Sequence, residues 1–219
     1  MNYLEFRKKL EPFRVFSISD IEKAIPGFLP LNLINWQKKG YIIKIRREWY
    51  CFGDQQNLES LTWLAANQIY KPSYISLQTA LSFYNLIPEA IYMTTSVTTK
   101  RTNQFLTPVG DFSYNSIKKT AFGFGHTLID SEKMPKDEVN KIRPNTRKIL
   151  FAEPEKAILD FFYINHQYQT EKDMEHLRFD RFVLENNLNV SILKNYLERY
   201  ECKALNDRIF NMLRAYTLI

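Results

Sequence analysis

Apolar and polar positions follow first a helical and then a strand period near the start of the chain. Residues 15–27, "VFSISDIEKAIPG", predict a short helix. Ser17 or Ser19 can cap it, because a hydroxyl accepts from an N–H that the helix leaves unsatisfied, and Pro26-Gly27 stop it. Residues 29–40, "LPLNLINWQKKG", predict a second helix, with Pro30 in the first turn and Gly40 at the C-terminal stop. Leu33 and Trp36 share one face of it, while Asn32, Asn35, Lys38 and Lys39 fall on others. The next segment, "YIIKIRREWYCF", predicts a hairpin. Ile43 and Ile45 alternate with Ile42 and Lys44, Arg46, Arg47 and Glu48 sit at the tip, and Trp49, Tyr50 and Phe52 form the return strand. Helix, helix, hairpin is the order of a winged helix-turn-helix.

The polar stretch "GDQQN", residues 53–57, sets the expected boundary between a domain at 1–56 and a second at 57–219. Beyond it, Leu58, Leu61, Ala65 and Ile69 recur at helical spacing. So do Leu77, Ala80, Leu81 and Tyr84, with Ser76 as the cap and Asn85 and Pro88 at the exit. From Ile91 the pattern turns β-branched and aromatic. Strands are expected in "IYMTTSVTT", "FSYNSI" and "RKILFA", with a turn at "TPVGD". "EPEKAILDFFYIN" predicts a helix whose inward face is Ala157, Ile158, Phe161 and Phe162. Glu153 and Glu155 flank Pro154 at its start, where the helix dipole favours carboxylates. Two more helices carry Leu193, Tyr196, Leu197 and Tyr200, and then Leu205, Ile209, Met212, Leu213 and Tyr216. The expected fold class is α+β: an N-terminal winged helix-turn-helix followed by a mixed α/β C-terminal domain, its helices packed around the sheet that contains Val97.

Composition narrows the function. The chain has 219 residues, 45% of them hydrophobic, enough for a packed core without staples. Cys51 and Cys202 stand in no ligand spacing, which fits a reducing compartment. No apolar stretch follows the charges at Arg7, Lys8 and Lys9, and no run approaches the ~18–20 apolar residues of a membrane span. A cytoplasmic protein without a membrane partner is therefore expected. His126, His166 and His176 lie far apart, and no GxSxG, GxGxxG or P-loop frame occurs. Glu155 and Asp160 are five residues apart on one helix and point in different directions, so a capping Glu155 and a surface Asp160 are expected. Gly123 and Gly125 in "FGFGH" read as a strand end that needs backbone freedom. No catalytic role, cofactor or metal follows.

The net charge is +6, and nearly all of it lies in the first quarter. Residues 1–53 hold Arg7, Lys8, Lys9, Arg14, Lys23, Lys38, Lys39, Lys44, Arg46 and Arg47 against Glu5, Glu11, Asp20, Glu22 and Glu48. Five of these cations fall on the end of the second helix and on the hairpin, where a winged helix meets duplex DNA. Asn32 and Asn35 can read adenine edges through paired amide bonds, and Lys38, Lys39, Lys44, Arg46 and Arg47 can neutralise phosphates. In "VTTKRTNQF", Lys100 and Arg101 close a strand and are expected to be exposed at the rim of the sheet. They form either a charged turn or a further contact to DNA or to an acidic partner.

Three segments carry a family resemblance: "YISLQTALSFYNLIPE" running into "TSVTTKRTNQF", then "TPVGDFSY", then "AEPEKAILDFFY". Together with the N-terminal helix–helix–hairpin order, they resemble the AbiEi-type antitoxins of abortive-infection toxin–antitoxin systems, described as transcriptional regulators of viral defence. The resemblance implies an N-terminal DNA-binding domain that represses its own operon from its own operator. It also implies a C-terminal domain that counters a nucleotidyltransferase-like toxin. The family's wing often reads Arg-Arg-Gly; here Glu48 and Trp49 follow Arg46-Arg47. A tip without Gly is expected to turn differently, and Glu48 would repel a nearby phosphate. Two classes of function stand side by side at this point. One is the DNA-binding repressor and antitoxin, the other a protein-interaction module whose winged helix binds a protein and not DNA.

Overall fold

The computed structural model describes residues 1–55, 59–129 and 148–219. The protein is mixed α+β, and the described residues form two compact units. The first comprises Met1–Lys71 and Phe105–Asp111, with Ile129, Lys148 and Ile149; the second comprises Pro72–Gln104, Phe112–Leu128 and Leu150–Ile219. Among the described residues, no helix is long and apolar enough to cross a membrane.

In the first unit the chain runs α1 (Tyr3–Leu10), β1 (Val15–Ser17), α2 (Ile18–Ala24), α3 (Leu31–Lys38), β2 (Ile42–Arg46), β3 (Trp49–Phe52) and α4 (Glu59–Ile69). Capping boxes set two of the helix starts. Asn2 and Glu5 close α1, and Ser17 and Asp20 close α2, each pair satisfying two backbone N–H groups. The sheet order is β1-β3-β2, antiparallel throughout. Its face and the helices share one aromatic-rich core. Phe6 lies against Trp36 at 4.6 Å between ring centroids, and Leu10, Phe16, Ile21, Leu33, Ile42 and Phe52 close around them.

Two expectations change here. The hairpin departs from the alternation that pairs Ile43 with Ile45: Ile42 and Ile45 are the buried pair, because the pairing shifts between Lys44 and Arg46 and adds one residue to the strand. The break between units falls after Lys71, beyond the stretch 53–57 expected as a boundary. The reason is packing. Leu61, Leu64 and Ala65 bury the inner face of α4, and the Thr62 hydroxyl donates to the Val109 carbonyl at 3.0 Å within the first unit.

The rest of the chain runs β4 (Ser73–Ile75), α5 (Leu77–Phe83), β5 (Met93–Thr98), β6 (Asn103–Thr107), β7 (Gly110–Ser116), α6 (Lys119–Phe122), β8 (His126–Ile129), β9 (Ile149–Ala152), α7 (Pro154–Ile164), α8 (Glu171–Glu175), α9 (Arg181–Asn187), α10 (Val190–Glu198) and α11 (Lys203–Ala215). A six-stranded sheet takes the order β6-β7-β5-β4-β9-β8. Within it β4 pairs antiparallel with β5 and parallel with β9. The inward residues of α7, namely Ala157, Ile158, Phe161 and Phe162, are buried as their spacing predicts.

A buried polar cluster forms the centre of the second unit, and it corrects the reading of α7. Asp160, expected at the surface, is wholly buried. Its carboxylate accepts from Lys156 Nζ at 2.5 Å, Tyr200 at 2.5 Å, Tyr74 at 2.9 Å and Ser76 at 2.7 Å. Ser76 therefore donates to Asp160 instead of capping α5. Glu155 is buried too, and accepts from the Asn189 N–H at 2.8 Å. Lys156 lies about 5 Å from the ring centroids of Tyr74, Phe124 and Tyr200. A charge taken out of water persists only when such partners surround it. The backbone must come close to admit this packing. Gly125 has φ +66°, and a Cβ there would stand 2.9 Å from Lys156 Cβ and from Tyr196 Cε2.

Candidate nucleic-acid interface

Burial of Leu33 and Trp36 decides which way α3 faces. At 100° per residue, the side opposite those two anchors is formed by Leu31, Ile34, Asn35 and Lys38, spaced i, i+3, i+4 and i+7. All four are exposed. Asn32 and Lys39 lie on the flank; Asn32 is half-buried and Lys39 exposed. Of the two expected adenine readers, only Asn35 is on the open face.

The hairpin is tied to the end of this helix by backbone contact. The Tyr41 N–H donates to the Trp36 carbonyl, and the Gly53 N–H donates to the Tyr41 carbonyl, both at 3.0 Å. Gly40 ends the helix with φ +70°, the left-handed conformation that glycine adopts without strain. A Cβ on Gly53 would lie 2.0 Å from the Gly40 carbonyl oxygen, so only glycine permits this approach. Tyr3 adds its hydroxyl to the Tyr41 carbonyl at 3.1 Å.

The cations around this face differ in what they touch. Lys38, Lys39, Lys44 and Arg47 are exposed, and Lys39 Nζ lies 6.0 Å from the Tyr41 ring centroid. Arg46 is half-buried. Its guanidinium carbon lies 3.6 Å from the Phe105 ring centroid, and Nη1 donates to the Ile69 carbonyl at 3.4 Å. Arg7 pairs with Asp54 at 2.6 Å, and Arg14 is buried. From Lys23 to Arg47 the sequence holds no Asp or Glu, so nothing acidic on α3 or β2 offsets these charges.

The tip turns through Arg47, which takes φ +44° despite its Cβ. The tip therefore reaches positive φ without the glycine of the family's pattern. The strain is of the order of 1 kcal/mol for one such residue, which the paired strands on either side impose. Glu48 beside it is exposed, and its carbonyl accepts from the Ile18 N–H at 3.1 Å.

Lys100 and Arg101 are both exposed, in the connection between β5 and the edge strand β6. The Thr98 hydroxyl accepts the Lys100 N–H at 3.1 Å and shapes that turn. Helical spacing did not reveal the exposed apolar residues of the N-terminal unit. Leu29, Leu31 and Ile34 are 68%, 64% and 50% exposed, although apolar positions in a helix usually read as core. Neither the models of known protein families nor the curated proteins with which the sequence was compared match the chain.

Proposed function

We propose that the N-terminal unit is a winged helix that binds duplex DNA, and that the protein represses its own operon. The observation that carries this reading is the acid-free stretch from Lys23 to Arg47, whose exposed Asn35, Lys38, Lys39, Lys44 and Arg47 cluster on α3 and the β2–β3 hairpin. In this reading α3 enters the major groove and the hairpin follows the backbone. Asn35 reads an adenine edge, while Lys38, Lys39, Lys44 and Arg47 neutralise phosphates. Arg46 acts mainly through its stacking on Phe105, by holding the hairpin. A gel shift on duplex DNA from upstream of the gene tests the reading. Asn35→Ala should cost roughly 1–3 kcal/mol on the operator and little on random DNA. Equal losses on both DNAs would remove the base-reading role.

We further propose that the second unit counters a nucleotidyltransferase-like toxin. This half rests on the resemblance of residues 74–89, 95–105, 107–114 and 152–163 to AbiEi-type antitoxins, and it requires no catalytic step. Lys100 and Arg101 are the exposed cations of its most specific segment. Replacing both with Glu should leave the melting temperature nearly unchanged, because exposed charges contribute little to stability. It should impair repression in cells or protection from the toxin; a variant that represses and protects like the parent reduces this segment to a strand and its turn. The exposed Leu29, Leu31 and Ile34 favour a second reading, in which α3 meets a protein partner and no DNA.

A further inference from the structure

We infer that the outward face of α3 reads the C5-methyl groups of thymine, so that the DNA recognised is rich in A·T pairs in the major groove. The inference rests on the DNA-binding reading above and names the sequence class that the same site selects. Three observations carry it. Leu31 and Ile34 are exposed on the side of α3 opposite its buried anchors, at 64% and 50%. They share that side with Asn35, and Leu29 stands just ahead of the helix at 68%. The cations lie at the other end of the element, at Lys38 and Lys39, and on the hairpin at Lys44 and Arg47.

The chemistry divides accordingly. The major-groove edge of an A·T pair offers one apolar group, the thymine methyl, beside the N7 acceptor and N6 donor of adenine. An asparagine amide matches the adenine edge with one donor and one acceptor, and branched aliphatic side chains match the methyl. A G·C pair offers no methyl, and a leucine or isoleucine set against its amino and carbonyl edge would strip water from polar groups without replacing their hydrogen bonds. The N-terminal half of a recognition helix is the part that reaches base edges, and its C-terminal end lies nearer the backbone. Leu31, Ile34 and Asn35 occupy the first part of α3, with the lysines after them. No Asp or Glu stands between Lys23 and Arg47, so α3 carries no acidic side chain that would repel a nucleic-acid backbone beside its apolar face.

The test uses three 30-base-pair duplexes and the full chain: alternating A·T, the same duplex with deoxyuridine for every thymine, and alternating G·C. Fluorescence anisotropy at fixed salt reads the affinities. Each methyl that is read should be worth about fourfold, the value of one buried methylene-sized group, so the A·U duplex should bind about tenfold or more weakly than A·T. The G·C duplex should bind more weakly than A·T as well. The Leu31→Ala/Ile34→Ala variant, whose altered side chains are exposed, should lose the A·T-over-A·U preference and keep the salt dependence of the parent. Equal, salt-dependent binding to all three duplexes would overturn the methyl reading and leave DNA binding standing. An A·T-over-A·U preference that survives in the double variant would overturn it too, because the methyl would then be read by something other than these two side chains. Binding to none of the three would remove both readings and leave the Leu29, Leu31 and Ile34 face to a protein partner.

Discussion

The guanidinium of Arg46 stacks on the ring of Phe105, with 3.6 Å between the guanidinium carbon and the ring centroid. The last residue of β2 is thereby joined to β6, far away in sequence. Tyr70 meets the same ring edge-on at 5.5 Å, and the Ile69 carbonyl accepts from Arg46. A partly desolvated cation–π contact of this kind contributes about 0.5–2 kcal/mol. In a double-mutant cycle, Arg46→Ala and Phe105→Leu should each lower stability and show a coupling energy of that size in urea unfolding. Strict additivity would mean that the stacking contributes nothing.

Removing one partner from the buried cluster should be far more costly. Asp160→Asn leaves the Lys156 ammonium with no carboxylate in a wholly buried site. A loss of about 3–5 kcal/mol is expected in chemical denaturation. Lys156→Met combined with Asp160→Asn should lose less than the two single changes added, because neither charge is then stranded. A loss below 1 kcal/mol for Asp160→Asn would show that the pair is dispensable.

Alkaline conditions should destabilise the fold. Burial pushes the hydroxyls of Tyr84 and Tyr196 up to about 12, with the carboxylates of Glu153 and Glu155 adding to it. Burial and Asp160 raise Tyr74 and Tyr200 well above the usual tyrosine value. A group that holds its proton more tightly when folded contributes stability that is complete below pH 10 and is lost as pH rises through the folded value. Lys156 acts in the opposite direction. Burial lowers its pKa against the pull of Asp160, so its contribution rises with pH until 10.5. Above that, the tyrosines act together with Cys51, whose thiol is pushed up to about 12 by burial. Stability should fall between pH 10 and 12, and Tyr84→Phe, which loses only the hydrogen bond to the Ala152 carbonyl, should show a shallower fall. An unchanged slope would exclude Tyr84 as a source of it.

Arg47 at φ +44° separates strain from charge. Arg47→Gly should raise stability by up to about 1 kcal/mol, since glycine adopts this conformation freely. The same change should weaken binding alike on all DNA sequences and make the salt slope shallower by about 0.9. Loss of stability instead would mean that the Arg47 side chain holds the turn.

What was legible in the sequence was local. Ser17 as a cap, Gly40 as a stop and the Leu33–Trp36 anchor follow from spacing and backbone preference within a few residues. The three-residue strands β1 and β4 are too short to show a period. The bulge between Lys44 and Arg46 breaks the alternation that grouped Ile43 with Ile45. Asp160 reads as a surface group because its partners Tyr74, Ser76 and Tyr200 come from remote parts of the chain, and no local pattern encodes them. Leu31 and Ile34 sit at helical spacing like core residues. Only the burial of Leu33 and Trp36 on the other side shows that they face outward.

The central claim is that the exposed cations of α3 and the hairpin neutralise DNA phosphates, and the salt dependence of binding measures this directly. With Lys38, Lys39, Lys44 and Arg47 each releasing one counterion, log K against log salt should fall with a slope of about −4, on operator and random duplexes alike. The quadruple alanine variant should bring the slope close to zero. A parent protein whose binding does not change with salt, or a variant that keeps the parental slope, would contradict the account.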